Sequence, residues 1–428
     1  MKGSIKILWL FLGLLSGFII VQKIADHEPC PKKFNPREQT VGGSKNRKKI
    51  IIFSTTGGAG SVIAARTLTS ILETEYEIIT VNYLAEVIRD IDPFYWWYNG
   101  KHTAEEIYNG WFKAGRVRFI NFLSYCIRPL LWLLRGHMTR NTVRMINDYD
   151  ADLVISVLPF FNGPIARAAM IAGTGFLLCP PDFDVSIHAS GLTLCAGQPA
   201  AVLVNPWNIR GIRLMAKSGF TPAQIFKIAW PIRKEFYRHY TQQHVRRRWK
   251  IPYNTCTVLI IMGGAGSENI IDYARAIAQI SAPVHQIVCV GRNESLIERM
   301  KSDPLLGGAS ITYVGFTDKI AELMSCADII VTKSGPTSIR EVLHSARPLL
   351  IDSIGAHLQW EKWGVSWVTK QGYGDRITGY TQLQELLYKY CKNRQFLRQR
   401  RAKVAQFKAP RSENRIKSII AQLISCQL

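Results

Sequence analysis

The chain has 428 residues, 47% of them hydrophobic, so it is too long for one ordinary α/β domain and supplies enough apolar material for two cores. Its 54 Lys and Arg outweigh 31 Asp and Glu, giving a formal charge of +23 that calls for an anionic partner. No recognisable nucleic-acid-binding module accompanies that charge, so an anionic membrane surface or a phosphorylated substrate is expected rather than nucleic acid.

Residues 1–24 hold the uncharged run Ile7–Val21, flanked by Lys2, Lys6 and Lys23. The run is shorter than the ~20 residues of a comfortable membrane span, so a cleaved signal peptide is its rival reading. No small-x-small site follows it, and the next stretch, ADHEPCPKKFNPREQ, is charged. An uncleaved anchor is therefore expected. Lys32, Lys33, Arg37, Lys45, Arg47, Lys48 and Lys49 follow the run and put the body on the cytoplasmic side. Residues 25–48 read as a polar linker.

Two stretches then share one grammar. KKIIIFSTTGGAGSVIAARTLTSILE and TVLIIMGGAGSENIIDYARAIAQI each run from a β-branched strand through a glycine turn into a helix. Both contain GGAGS, at Gly57–Ser61 and Gly263–Ser267. Two such openings predict two doubly wound domains, at 49–235 and 254–410. DADLVISVLP, GTGFLLCPPDFD, HQIVCVG, ITYVGF, ADIIVTKSG and RPLLIDS read as further buried parallel strands. Residues 236–253 are the expected connection and 411–428 a C-terminal helix. Arg398, Arg400, Arg401 and Lys403 are placed on a solvated face of the basic tail. The nine cysteines show no CxxC pair and no zinc spacing, so they read as reduced core thiols in a cytosolic compartment, with no metal site.

Neither GGAGS loop is followed by GK[ST], which excludes a Walker loop, and neither is a good dinucleotide fingerprint. A glycine turn at a helix N-terminus admits an anion to backbone N–H groups, or is simply a tight turn. The most informative stretch is DIIVTKSGPTSIREV. Ser334, Gly335, Pro336, Thr337 and Ser338 form a turn at a helix start beside Lys333, which suits a diphosphate or a helix cap. Glu341, one turn in, can accept two hydrogen bonds from a pair of ribose hydroxyls. Residues 94–135 interleave Trp96, Trp97, Trp111, Phe119, Phe122 and Trp132 with Arg116, Arg118, Arg128 and Arg135. That pattern fits an interfacial surface on anionic lipid as well as a core helix with solvated arginines.

The strings VLIIMGGAGS, VCVGRNESL, YVGFTDKIAELMSCADIIVTKSGPTSIREVL and HLQWEKWGV, in that order, resemble the C-terminal half of diacylglycerol glucosyltransferases and monogalactosyldiacylglycerol synthases. More distantly they are similar to the N-acetylglucosaminyltransferase that makes lipid II. Weaker likeness in DYDADLVISVLPF, PDFD and WPIRKEF extends it over most of residues 49–375. The resemblance implies a GT-B architecture, two Rossmann-like domains facing across a cleft, with a UDP-sugar as co-substrate and no other cofactor. It places Gly263, Gly264 and Ser267 near the diphosphate, and Arg292, Phe316 and Thr317 at the uracil. Residues 334–338 would take the phosphates, Glu341 the ribose and Gln359 the sugar, with Arg233 against the donor. Gly57, Gly58 and Gly60 would form the acceptor-side loop.

This sequence departs from that pattern in two places. Gly60 stands where the family has a histidine, and Trp360 and Trp363 replace polar members of a QExxN-like stretch. The base that an inverting transfer needs then falls to Asp182, matching the family's TD aspartate, with His188 and Asp184 as weaker candidates. The expected function is hexose transfer from a UDP-sugar to a membrane lipid, foremost diacylglycerol. The alternatives are transfer to a polyprenyl diphosphate and a non-catalytic, membrane-anchored nucleotide-sugar-binding protein.

Overall fold

The computed structural model describes residues 47–407 and 411–425. The expected anchor and most of the linker lie outside the described residues. Within the described residues the chain builds two six-stranded, all-parallel sheets. The first sheet comprises β1 (Lys49–Ser54), β2 (Glu77–Asn82), β3 (Leu153–Ser156), β4 (Gly175–Leu178), β5 (Ala200–Val204) and β6 (Ile225–Lys227), in the order β2-β1-β3-β4-β5-β6. The second has β7 (Cys256–Ile261), β8 (Val284–Gly291), β9 (Ser310–Gly315), β10 (Ile329–Thr332), β11 (Leu349–Asp352) and β12 (Gly374–Ile377), in the order β12-β11-β10-β7-β8-β9. The central strands are apolar on both faces because helices cover both. Ile50, Ile51 and Ile52 of β1, for example, are all fully buried.

The helices used below are α1 (Ala59–Leu72), α2 (Ala104–Lys113), α3 (Val117–Leu133), α4 (Arg135–Tyr149), α5 (Asn162–Ile171), α6 (Pro336–His344), α7 (Lys362–Lys370), α8 (Tyr380–Lys392) and α9 (Glu413–Ile424). α2 opens with a capping box in which Thr103 and Glu106 satisfy each other's backbone N–H groups. The expected connection, residues 236–253, is built into the second domain, where Phe236, Val245 and Ile251 join its core. α9 crosses back to the first domain. Its Ile416, Ile419, Ile420 and Leu423 are fully buried beside Ile50, Ile52 and Leu153.

Two expectations are corrected. Cys256 and Cys391 form a disulfide, with Cα atoms 5.4 Å apart across 135 residues. Scatter along the chain hid the fact that the start of β7 lies beside α8, while Cys179, Cys289 and Cys326 are buried thiols as read. The tail arginines do not all face solvent. Arg400 pairs with Asp375 and the Tyr390 hydroxyl, and Arg401 with Asp328.

Because α9 supplies four fully buried aliphatic side chains to the first domain, Ile420→Ala is expected to cost about 2–4 kcal/mol. Urea denaturation of the full-length protein checks this through a lower unfolding midpoint.

Candidate functional site

In the second sheet β7 and β10 are neighbours, yet the chain leaves β7 toward β8 and β9 and returns to β10 on the other side. The loops after β7 and β10 therefore part, leaving a crevice at the C-terminal edge of the strands, where open α/β sheets hold ligands. Gly263, Gly264 and Ser267 follow β7, and Lys333 to Ser338 follow β10. Gly266 has φ +77°, and a Cβ there would lie 2.2 Å from the Val290 carbonyl oxygen, so backbone meets backbone. Arg292 and Phe316, after β8 and β9, form one flank. The guanidinium lies 4.3 Å over a ring that is 55% exposed, with Thr317 beside it.

α6 begins at Pro336 with Gly335 as N-cap and no side chain capping it. The Ser334 hydroxyl donates to Glu361 Oε2 at 2.6 Å, and His357 Nδ1 lies 2.9 Å from the same hydroxyl. Burial depresses the Lys333 ammonium, opposed by Asp352 and Glu361, and its Nζ sits 5.1 Å over the Phe112 ring. Glu361 is a member of the site that the sequence does not single out. Burial pushes its carboxyl up to about 7, against the Ser334 hydrogen bond, with Asp182 adding and Lys333 opposing.

Arg233 and Glu341 are brought together as a bidentate ion pair, Nε to Oε1 at 2.7 Å and Nη2 to Oε2 at 3.0 Å. Burial raises the Glu341 carboxyl while Arg233 opposes. Each oxygen keeps a second lone pair, so a ribose hydroxyl would share the carboxylate with Arg233 rather than meet it unpartnered.

Across the cleft, the loop after β4 carries Asp182. His188 is fully buried behind it, with Nε2 2.9 Å from Asp182 Oδ2 and Nδ1 2.9 Å from the Leu158 carbonyl oxygen. Both ring nitrogens thus face acceptor oxygens, and the ring is fixed from two sides. His188 orients Asp182 and does not reach the cleft. Asp184 turns away to accept from the Ser186 N–H at 3.0 Å. The buried Arg340 of α6 donates to the Pro181 carbonyl and lies 4.6 Å over the Phe183 ring, with Asp182 among the charges acting on it.

The first glycine loop is occupied from within the chain. Glu105 of α2 accepts from the Thr55 hydroxyl, from Thr56 N at 2.6 Å and from Gly57 N at 3.1 Å. Gly58 N donates to Asn109 Oδ1 at 3.2 Å. Gly57 and Gly58 thus have no amide left for an anion. Gly60 is exposed, lies outside the positive-φ glycines, and a Cβ there would meet nothing within 4 Å. The sequence signal for Glu105 is its place beside the Thr103–Glu106 capping box. For Glu361, between Gln359 and Lys362, the sequence offers no such signal. Gln359 sits on the loop after β11, where the Tyr125 hydroxyl donates to its Oε1. Among the described residues no three His, Cys, Asp or Glu side chains are grouped as metal ligands.

Residues 257–353 match the glycosyltransferase family 28 C-terminal domain. Monogalactosyldiacylglycerol synthase of Spinacia oleracea is 27% identical over 249 residues, covering 55% of this chain and 46% of the relative. A probable monogalactosyldiacylglycerol synthase of Glycine max is 25% identical over 354 residues, covering 79% of this chain and 64% of the relative. The chain is distantly similar to monogalactosyldiacylglycerol synthases. It spans about half to two thirds of the length of these curated relatives. Among solved structures, MurG of Acinetobacter baumannii superposes with a TM-score of 0.55 at 12% identity, covering 88% of this chain and 99% of that one. HepE of Anabaena in complex with UDP gives 0.52 at 13% identity, covering 88% and 100%. These likenesses show the fold, two parallel-sheet α/β domains of GT-B type.

A carboxyl raised on folding holds its proton in the folded state at a pH where the unfolded chain has lost it. Glu361 therefore subtracts stability as pH rises from about 4.5 to about 7. Glu361→Gln lacks that penalty. Stabilities from urea denaturation should agree with wild type near pH 4 and favour the variant by roughly 3 kcal/mol at pH 8.

Proposed function

We propose that the protein is an inverting glycosyltransferase that moves a hexose from a UDP-sugar to a membrane lipid, with diacylglycerol as the first candidate. The observation that carries this reading is one partly buried carboxylate, Asp182, fixed by His188 and coupled by charge to Glu361 and Arg340 beside the uncapped start of α6. In the proposed step the acceptor hydroxyl attacks the anomeric carbon, Asp182 takes its proton, and the bond to the UDP oxygen breaks. The leaving diphosphate is stabilised by the N–H groups of α6 and by Lys333 rather than by a metal ion. Arg233, Glu341, Arg292, Phe316 and Gln359 hold the donor. The similarity to monogalactosyldiacylglycerol synthases supports diacylglycerol as acceptor.

Exposed aromatics support the membrane part of the reading. Trp96, Trp97, Phe122 and Trp132 are 70%, 57%, 52% and 63% exposed. Arg135 lies 4.0 Å over Trp132 and Arg128 5.2 Å over Tyr125. Trp111 and Phe119, expected on the same surface, instead pack edge to face with centroids 4.9 Å apart. No single described helix is long and apolar enough to cross a membrane, and α3 and α4 reach that length only together, bent by 72°. A surface that rests on the bilayer, with residues 1–24 as the tether, suits these features.

One observation favours the rival, a non-catalytic nucleotide-sugar-binding protein: the first loop has no imidazole at Gly60, and Glu105 fills it. Incubation with radiolabelled UDP-galactose, UDP-glucose and UDP-N-acetylglucosamine and a total lipid extract separates the two. Label in the lipid fraction on thin-layer chromatography supports transfer, and tight UDP binding with no labelled lipid supports the rival.

Asp182→Asn should lower turnover by about 10²–10⁴-fold while UDP affinity by calorimetry stays within a few-fold. Turnover near the wild-type rate would make Asp182 structural. Protein lacking residues 1–24 should still sediment with anionic vesicles at low salt and be released as salt rises. Indifference to anionic vesicles at low salt would remove the membrane role of residues 94–135.

A further inference from the structure

We propose that Asn121 and Tyr125 of α3 are positioning residues that fix the side-chain amide of Gln359 and so determine which hydrogen-bonding groups the donor's sugar meets. The inference rests on the donor site proposed above. Its geometric basis is a contact between parts of the chain more than 230 residues apart. Asn121 Nδ2 donates to the His357 carbonyl oxygen at 2.8 Å, and Gln359 N donates to Asn121 Oδ1 at 3.0 Å. One amide thus grips the backbone on both sides of Leu358, which is itself buried beneath the loop.

Tyr125 lies one helical turn beyond Asn121 on the same face of α3. Its hydroxyl donates to Gln359 Oε1, and the Arg128 guanidinium steadies its ring from 5.2 Å. A glutamine amide has one acceptor oxygen and one donor NH2, and which of them a ligand meets depends on how the group is turned. With Oε1 held by Tyr125, the NH2 is the end offered to a ligand, and it suits a hydroxyl oxygen of the sugar. Without that contact the amide turns either way, and the loop presents a donor or an acceptor indifferently. The nucleotide side of the site contains neither Asn121 nor Tyr125. Their loss should therefore fall on the sugar and spare the UDP.

The test is calorimetry on the full-length protein with UDP, UDP-galactose and UDP-glucose as three separate probes. The variants are Tyr125→Phe, which deletes one hydroxyl from a half-exposed side chain, and Asn121→Ala. Both should leave UDP affinity within about two-fold of wild type. Both should weaken the better-bound UDP-hexose by about 3–10-fold, the size of one lost hydrogen bond, and narrow the preference between the two hexoses. Tyr125→Phe carries the test by itself should Asn121→Ala fail to fold. Equal shifts for UDP and both UDP-hexoses, or no shift for any, would overturn the assignment. A wild-type protein that binds none of the three overturns the donor site and this inference with it. UDP binding with an unmoved hexose ratio overturns only the roles of Asn121 and Tyr125.

Discussion

Phe183 belongs by sequence to the loop after β4 of the first domain, yet its ring is 2% exposed within the core of the second. It packs against Trp363 and Trp367 of α7 and lies under the Arg340 guanidinium of α6. A Cβ on Gly364 would come within 2.7 Å of that ring, so α7 has a glycine where Phe183 enters. A buried aromatic of this size contributes several kcal/mol of apolar burial. Asp182 is the preceding residue. Its place relative to the start of α6 is therefore set by a packed interdomain contact rather than by the loop's own conformation. Trp360 and Trp363 make sense in the same terms. Trp363 receives Phe183, and Trp360 meets Phe160 of the first domain edge to face at 6.2 Å. Both tryptophans serve apolar packing between the domains.

The net charge of +23 divides in a way its sum does not reveal. Part of it is used inside the second domain. Asp328 accepts from Arg246, from Arg401 and from Thr257 N, joining the inter-domain segment, the tail and the start of β7 at one carboxylate. Arg340 and Arg233 are used at the cleft. The arginines around α3 remain beside exposed aromatics on the outer face, while Asn121 on the same helix holds the loop of Gln359. One helix thus borders both the outer aromatic surface and the cleft.

The two domains are legible in the sequence because their signal is local. A β-branched run, a glycine turn and a helical pattern recur at residues 50–72 and 257–278, and the fold follows from that grammar. The crevice residues are legible for the same reason, as they lie on loops that directly follow strands. What stays hidden depends on distance in sequence. The closure of α9 on the first sheet, the Cys256–Cys391 bond, the filling of the first glycine loop by Glu105 and the pairing of Arg400 with Asp375 each join segments that no periodicity connects. Glu361 is hidden for a different reason. Its raised carboxyl comes from burial beside Asp182, a residue of the other domain, and a sequence window around either one contains no trace of it.

The absence of a histidine at Gly60 is the feature that most challenges an enzymatic reading, and the packing around Asp182 bears on it directly. An imidazole is still present in the cleft wall, but it stands behind the carboxylate instead of ahead of it. His188 is held on one side by the Leu158 carbonyl and on the other by Asp182, with no surface of its own. A ring so placed cannot touch an acceptor, whereas it can fix the carboxylate's orientation. Glu105 and Asn109 bind the first loop's amides and tie it to α2. That tie gives the loop a structural role, while Asp182, proposed above as the proton acceptor, lies between Phe183 and the Pro181 carbonyl that Arg340 of α6 holds.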